Sequence, residues 1–507
     1  MQLHIRFIEK VKQNKAKIAI YDVATEKELT YGKLLIAALI LAKKFAKYKS
    51  KYLGILVPTS AGSMLSIIGT LFSGKIPVII NYSTGAIENC LYAQEKCSFR
   101  TIITSRKLLS KLRIEPLEDM IFLEDIMKSL TLSDKIFAAI QSKLPIPLLK
   151  NLIQSGSEEE TCVILFTSGS ETEPKAVQLS HKNIMHNIIN IPKALEVESD
   201  DIYLANLPLF HVFGLTVNCW LPLLTGASLV AYPNPLDYKA ICEIIRSYKV
   251  QVMAGTPAFF LGYLKRSQPG DFSSVRIAVS GADKLTPHIF ERFMKKHGLK
   301  ILEGYGATET SPVISTNTLS EHRLGSIGKP IPGVEVKIVD RETDQPLPPE
   351  QEGKLLVRGA LVMKGYLGDL EQTSLRIHNG WYDTGDIGKI DKDGFLWHCG
   401  RLKRFVKIGG EMISLVKVET VLEKYLPADA VCCVVDVPNP TKGADIVAAL
   451  TTSEINTKKI LKQMAKELPS IALPKQFHFI EDIPMMTSGK VNFREVEKIC
   501  RSYLKNE

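Results

Sequence analysis

Strand-like apolar runs alternate with helix-patterned stretches through roughly the first 400 residues, and this alternation restricts the fold more than any other feature. The segments 53–57, 163–166, 228–232, 251–254 and 276–279 are short and apolar, and each predicts a strand. Between them, Ser180 stands as an N-cap ahead of Ile184, Ile188 and Ile191, which share one helix face. Leu236, Ile241, Ile244 and Tyr248 mark a second amphipathic helix. Parallel strands need long crossovers, usually helices, so this order predicts parallel sheets covered by helices. A chain of 507 residues exceeds a single core, so at least two domains are expected. After Lys354 the texture shifts to short strands with frequent Gly. Beyond the turn at 401–410, a helix near 415–424, strands near 431–435 and 446–450, and a helix near 458–468 read as a compact α+β unit. The expected fold is α/β: a large N-terminal domain (1–402) of helix-covered sheets, then a small α+β C-terminal domain (403–507).

Composition excludes several classes. Hydrophobic residues are 45% and charged residues 23%, ordinary for a globular chain. Lys and Arg number 64 against 54 Asp and Glu, leaving +10, which suits an acidic partner or an anionic surface but is silent on fold. The surplus is not focused in the tail: residues 403–507 carry 16 basic and 13 acidic side chains. No basic block with interleaved aromatics points to nucleic acid. Nine Cys without a C-x-x-C pair and ten His without H-E-x-x-H spacing argue against a structural metal. Reduced thiols fit a cytoplasmic protein, and Cys432-Cys433, in a β-prone run, read as core. Met1 to Asn14 lacks the apolar stretch of a secretion signal. Tyr52 to Ile80 is apolar but broken by Pro58, Gly62, Gly69, Gly74 and Lys75, which fits a buried strand, helix, strand unit better than a membrane span. Ile136 to Ile153 mixes apolar residues with Lys143 and Lys150. It reads as a surface helix, with an interfacial element at the inner face of a membrane as the alternative.

Chemistry concentrates after Cys162–Phe166, in Thr167-Ser168-Gly169-Ser170-Glu171-Thr172-Glu173-Pro174-Lys175-Ala176. Hydroxyls and turn N–H groups suit phosphate oxygens, and the lysine adds a mobile positive charge. The spacing is not that of a Walker A loop. Downstream come Tyr305-Gly306-Ala307-Thr308-Glu309, Tyr382-Asp383-Thr384-Gly385-Asp386, Gly400-Arg401-x-Lys403 and Pro484-x-x-Thr487-x-Gly489-Lys490. Five elements in this order resemble the adenylate-forming superfamily of acyl-CoA synthetases, luciferases and carrier-protein-loading adenylation domains. The resemblance covers essentially the whole chain.

That resemblance implies ATP and Mg²⁺ as cofactors and an acyl-adenylate as intermediate. A carboxylate becomes reactive once one oxygen is joined to the α-phosphate, which calls for charge neutralisation on the phosphates and a cation at the reacting phosphorus. The resemblance assigns Thr167, Ser168, Gly169, Ser170, Thr172 and Lys175 to the β and γ phosphates, Thr308 to the α-phosphate and Glu309 to Mg²⁺. Asp386 would accept from the ribose hydroxyls, with Arg401 as a second contact. Gly281 and Ala282 resemble the small-residue edge under adenine, a plain strand-ending turn being the alternative. Glu303, Gly304, Tyr305 and Gly306 would line the nucleotide, with Tyr305 stacked on adenine. His211 resembles a wall residue near the acyl carboxylate, or is a packed histidine. Lys490 would enter the site only during adenylation. Lys403 sits at the hinge position of a mobile C-terminal domain, whose rotation would bring Gly409, Gly410 and Glu411 to a pantetheine tunnel. Two departures stand out: the family usually has Gly where this chain has Thr172 and Ala176, and a required positive φ at either would cost stability or ATP affinity. His378-x-x-x-x-Asp383 matches an acyltransferase spacing but falls in the ribose loop, a coincidence.

Within the superfamily, Pro208-Leu209-Phe210-His211-Val212-Phe213-Gly214-Leu215, Ile301-Leu302-Glu303-Gly304-Tyr305-Gly306 and Arg404-Phe405-Val406-Lys407-Ile408-Gly409-Gly410-Glu411 resemble the synthetase half of the 2-acylglycerophosphoethanolamine acyltransferase/acyl-[acyl-carrier-protein] synthetases. This implies ligation of a long-chain fatty acid to the thiol of holo acyl carrier protein by a free-standing synthetase. Ligation to CoA is the alternative, and a silent acyl or nucleotide binder a further one.

Overall fold

The computed structural model describes residues 1–153, 156–167, 174–401, 404–408, 411–427, 430–439, 443–485 and 491–504. The chain divides into two units: Met1–Ser168 with Pro174–Glu335 and Arg358–Tyr382, and Val336–Val357 with Asp383–Glu507.

Two large sheets build the first unit. One runs in the order Gly365–Tyr366, Ala176–Ser180, Thr161–Phe166, Ile76–Ile79, Tyr52–Leu56, Ile102–Thr104, Met120–Phe122. Its strands from Thr161–Phe166 to Met120–Phe122 are parallel, and the pair at the other edge is antiparallel. The second runs Lys329–Pro330, Val313–Thr316, Ile301–Gly306, Ile277–Ser280, Val252–Gly255, Ile202–Ala205, Ser228–Ala231, Ile18–Asp22, Lys27–Thr30. Its middle is again parallel. The alternation in the sequence thus becomes helix-covered parallel sheet, and the five strands predicted in this part of the chain match observed ones to within two residues at either end. Val78, Ile79, Ile164 and Leu165, side by side on neighbouring strands, are all buried, as strands covered on both faces require.

Local signals set the helix starts. The Ser180 side chain accepts from the Asn183 backbone at 3.2 Å and the Asn183 side chain accepts from the Ser180 backbone at 2.8 Å, a reciprocal cap for His181–Leu195. The second predicted helix is Tyr238–Tyr248, and Leu236 is not on its buried face. The Asp237 side chain accepts from the Ala240 backbone at 3.2 Å and starts the helix there, leaving Leu236 outside it and exposed. Ile241, Ile244 and Ile245 form the buried stripe. The Tyr52–Ile80 stretch is strand Tyr52–Leu56, helix Ala61–Phe72 and strand Ile76–Ile79. Among the described residues no helix is long and apolar enough to cross a membrane. The nine cysteines are free thiols, all buried but the half-buried Cys399.

In the second unit, residues 353–357 and 383–390 belong to neighbouring strands, and Leu396–Arg401 pairs antiparallel with the latter. Further along, Cys432–Asn439, Gly443–Leu450 and Gln476–Phe479 form a three-stranded sheet. The two-residue period of a strand sends Cys432 and Val434 into one core, with Val418, Leu422, Ile460 and Met464, and Cys433, Val435 and Val437 into another, with Val496 and Cys500. The adjacent cysteines are core residues on opposite faces.

Candidate active site

The hydroxyl-rich loop leaves strand Thr161–Phe166 and returns on strand Ala176–Ser180. Ser168, Gly169, Ser170 and Thr172 lie outside the described residues. The loop's two ends are tied together: the Thr167 backbone N–H donates to the Lys175 carbonyl at 3.0 Å, and the Lys175 N–H donates to the Thr167 hydroxyl at 3.1 Å. Ala176, paired with Phe166, sits in extended strand and is not among the positive-φ residues, so Ala replaces Gly there without backbone strain.

From this anchor Lys175 reaches a cluster that the sequence does not announce. Its ammonium stands 4.9 Å from the centre of the Tyr366 ring and donates to Gln372 Oε1 at 2.5 Å. The Tyr366 hydroxyl donates to Glu309 Oε1 at 2.8 Å. Tyr366 arrives by sheet pairing with Val177, two residues beyond Lys175, and Gln372 comes from helix Leu370–Arg376. The structure therefore joins two residues selected from sequence, Lys175 and Glu309, through one tyrosine. Burial, with the Glu309 charge second, pushes the Tyr366 phenol far above its usual range and keeps it a donor. Tyr382 is buried beside the same carboxylate and is raised for the same reasons.

Thr308 and Glu309 open a short 3₁₀ turn, Thr308–Thr310, after strand Ile301–Gly306. Both are half-buried. Asn187, fully buried on helix His181–Leu195, fixes the far side of the turn: its Oδ1 accepts from the Val313 backbone at 2.9 Å and its Nδ2 donates to the Thr310 carbonyl at 3.4 Å. The Thr216 hydroxyl donates to the Ser311 carbonyl at 3.0 Å. Thr216 lies in a π-helical turn, Leu215–Trp220, that follows His211 directly through Val212–Gly214. His211 is half-buried and packs its ring 4.8 Å from Phe210. The segment that begins at His211 and the Thr308 turn are thus one connected structure.

Ser280 and Glu303 are paired neighbours on parallel strands, which brings the Gly281-Ala282 edge beside Glu303-Gly304-Tyr305. A methyl group on Gly281 would stand 3.3 Å from the Phe213 ring and 3.5 Å from the Gly304 carbonyl, and Ala282 takes φ 71°. At Gly306 a Cβ would lie 2.0 Å from the Pro312 carbonyl oxygen, so only glycine fits. Glu303 is 4% exposed. Its Oε1 accepts from the Leu285 backbone at 3.1 Å and its Oε2 from Gly325 at 3.2 Å, which makes it a clamp between two loops. Burial pushes its pKa up to about 7, although both backbone bonds pull the other way.

In the second unit Asp386 and Arg401 are cross-strand partners, with Arg401 Nε 3.4 Å from Asp386 Oδ1. His398 Nε2 lies 3.5 Å from the same oxygen, a neighbour not foreseen from sequence. Gly385 at φ 75° and the 3.1 Å bond from the Asp386 backbone to the Thr384 hydroxyl set the turn before the carboxylate. Glu411 is exposed at the start of strand Glu411–Ser414. Lys403, Gly409, Gly410 and Lys490 lie outside the described residues. Met485 and Val491 bridge to each other on either side of the segment that holds Lys490.

Comparison with known proteins agrees with this geometry. The AMP-binding enzyme family matches residues 7–367, and the AMP-binding enzyme C-terminal domain matches residues 417–490. A feruloyl-CoA synthase from Amycolatopsis sp is 30% identical over 67% of this chain and 70% of its own. A long-chain-fatty-acid–CoA ligase from Bacillus subtilis (strain 168) is 27% identical over 94% of this chain and 90% of its own. ATP-bound MatB from Rhodopseudomonas palustris superposes with TM-score 0.85 at 22% identity, covering 99% of this chain and 100% of that one. The anthranilate CoA ligase AuaEII, in complex with anthranoyl-AMP, superposes with TM-score 0.83 at 23% identity, covering 99% and 98%. The two-part fold and the loop, turn and strand-edge motifs it positions thus meet in one conclusion: this chain belongs to the AMP-binding enzyme family.

Proposed function

We propose that this AMP-binding enzyme activates a long-chain fatty acid as its acyl-adenylate and passes the acyl group to the thiol of CoA. The observation that carries the first half is the Lys175–Tyr366–Glu309 cluster: a cation at the loop's end and a carboxylate on the Thr308 turn, held together by one buried phenol. CoA as acceptor rests on the relatives, which are named as CoA ligases and a CoA synthase. Acyl carrier protein, the acceptor expected from sequence, has no such support and becomes the second reading. It keeps only the stretches that resemble an acyl-carrier-protein synthetase.

ATP and Mg²⁺ are the cofactors. The site fits the ion: Glu309 offers a hard oxygen, and among the described residues no group of three or more His, Cys, Asp or Glu forms a metal cage. Mg²⁺ takes one or two carboxylates plus substrate phosphates, so a single protein carboxylate suffices. Bound there, Mg²⁺ would neutralise phosphate charge and draw electrons from phosphorus. The chain's own residues do the remainder. Lys175, with Thr167, Ser168, Gly169, Ser170 and Thr172, holds the outer phosphates, and the Thr308 hydroxyl donates to the α-phosphate. Gly281, Ala282 and Tyr305 enclose adenine, Asp386 and Arg401 hold the ribose, and His211 borders the carboxylate. Lys490 supplies the cation as the carboxylate oxygen displaces pyrophosphate. Rotation of residues 403–507 about Lys403 then exchanges Lys490 for the segment with Gly409, Gly410 and Glu411, and the thiol attacks the acyl carbon with AMP leaving.

Incubation of a C16 fatty acid and ATP with CoA or with holo acyl carrier protein tests the acceptor. Thioester on CoA is expected; thioester on the carrier protein alone would reverse the assignment. A filled apolar tunnel should lose about 1.6 kcal/mol, or ~15-fold in affinity, for every two carbons removed.

A further inference from the structure

Helices Leu132–Gln141 and Ile146–Leu152 carry apolar side chains on the side away from the core. On the first, Leu132 is 73% exposed, Ile136 52%, Phe137 54% and Ile140 59%. At 100° per residue these fall in one arc, opposite Ala138, which is buried. A helix of a water-soluble surface shows the reverse arrangement. On the second helix Leu148 and Leu152, one turn apart, are half exposed while Leu149 is buried.

This face is held in place from behind. Asp134 accepts from Lys43 at 3.1 Å and from Lys44 at 3.2 Å. Lys12 donates to the Ser142 carbonyl at 2.8 Å and to the Leu144 carbonyl at 2.6 Å, in the link between the two helices. Thr131 caps the first helix at its N-terminus. The charges of this segment are one-sided, and Lys43 sets its ammonium 5.6 Å from the centre of the Phe137 ring. Residues 127–152 contain Lys128, Lys135, Lys143 and Lys150 against Asp134 alone, four minus one, or +3, and Asp134 is already engaged with Lys43 and Lys44.

Isolated exposed apolar residues are ordinary, but four on one arc of a single ten-residue helix mark a contact surface. Protein interfaces are depleted in lysine at their cores, whereas a lysine-flanked aliphatic face with one phenylalanine is what an anionic lipid surface takes. Helices of 10 and 7 residues are far below the ~20 needed to span a bilayer, so they lie along it. We propose that this face seats the enzyme on an anionic bilayer. Leu132, Ile136, Phe137, Ile140, Leu148 and Leu152 enter the boundary between headgroups and acyl chains, and the lysines meet lipid phosphates.

The test is co-sedimentation of the full chain with vesicles of phosphatidylcholine alone or mixed with phosphatidylglycerol. The account expects binding to the mixed vesicles at least tenfold tighter than to phosphatidylcholine, and weaker as salt rises. Ile136→Asp with Ile140→Asp should reduce that binding at least tenfold without changing the circular dichroism spectrum or the melting temperature, because both side chains already face water. Lys135→Glu with Lys143→Glu should weaken binding to the mixed vesicles and leave the phosphatidylcholine baseline unchanged. Vesicle binding that the Asp pair does not alter would overturn the proposal. So would absence of vesicle binding together with a dimer in analytical ultracentrifugation that the Asp pair dissociates, which would assign the face to a second copy of the chain.

Discussion

Glu303→Gln isolates what a buried carboxyl contributes at the strand edge where adenine is proposed to lie. The side chain is 4% exposed and spans the Leu285 and Gly325 backbones. Its pKa rises from 4.5 to about 7 on burial. The neutral acid is therefore the form that the fold prefers: its contribution is whole below pH 4.5 and is lost as pH climbs through about 7. At about 1.4 kcal/mol per pKa unit, the full swing is about 3 kcal/mol, of which about 2 kcal/mol falls between pH 5.5 and 8.5. Glutamine has the shape of the neutral acid but does not titrate. Its amide must turn an N–H toward one of the two backbone donors, which costs about 1–2 kcal/mol at every pH. The variant should thus be less stable than the parent at pH 5.5 and approach or pass it at pH 8.5. Urea unfolding followed by tryptophan fluorescence reads this directly, since Trp220 is fully buried in the same unit. All other titrating groups cancel in the difference between the two proteins. Equal pH slopes in parent and variant would refute the reasoning.

Further substitutions probe the remaining parts of the site. Tyr366→Phe removes the 2.8 Å bond to Glu309; a bond to a charged group is worth about 1.5–3 kcal/mol, so the KM for MgATP should rise on the order of tenfold, read in steady-state kinetics. Asn187→Ala removes a fully buried side chain and leaves the part-buried Val313 N–H without its acceptor; a loss of about 1–3 kcal/mol in urea unfolding, with slower adenylation, is expected. Lys490→Ala should slow adenylation on the order of 100-fold, as loss of a transition-state cation does, while thiolysis of supplied acyl-adenylate is spared. Equal loss in both half-reactions would contradict the rotating-domain mechanism.

The parallel sheets were legible in the sequence because strands covered on both faces become short, continuous apolar runs, and Cys162–Phe166 is a plain case. The start of helix His181–Leu195 was legible because Ser180 and Asn183 carry their cap within four residues. Leu236 misled because periodicity does not see that Asp237 already ends the preceding turn. Motif spacing marked Lys175, Glu309 and Asp386, but their neighbours were hidden for a geometric reason. Tyr366 joins Glu309 only through strand pairing with Val177, and His398 reaches Asp386 only across a hairpin. Neither contact leaves a local pattern. Asn187 did leave one, a polar residue between Ile184 and Ile188 on a buried face, which signals a backbone partner inside the protein.

Exchange of labelled pyrophosphate into ATP, with and without a C16 fatty acid, is the most direct test of the central claim. The account predicts exchange that requires both the fatty acid and Mg²⁺ and that precedes any thiol acceptor. Exchange that is absent, or that is the same without fatty acid, would show that the carboxylate is not being joined to AMP.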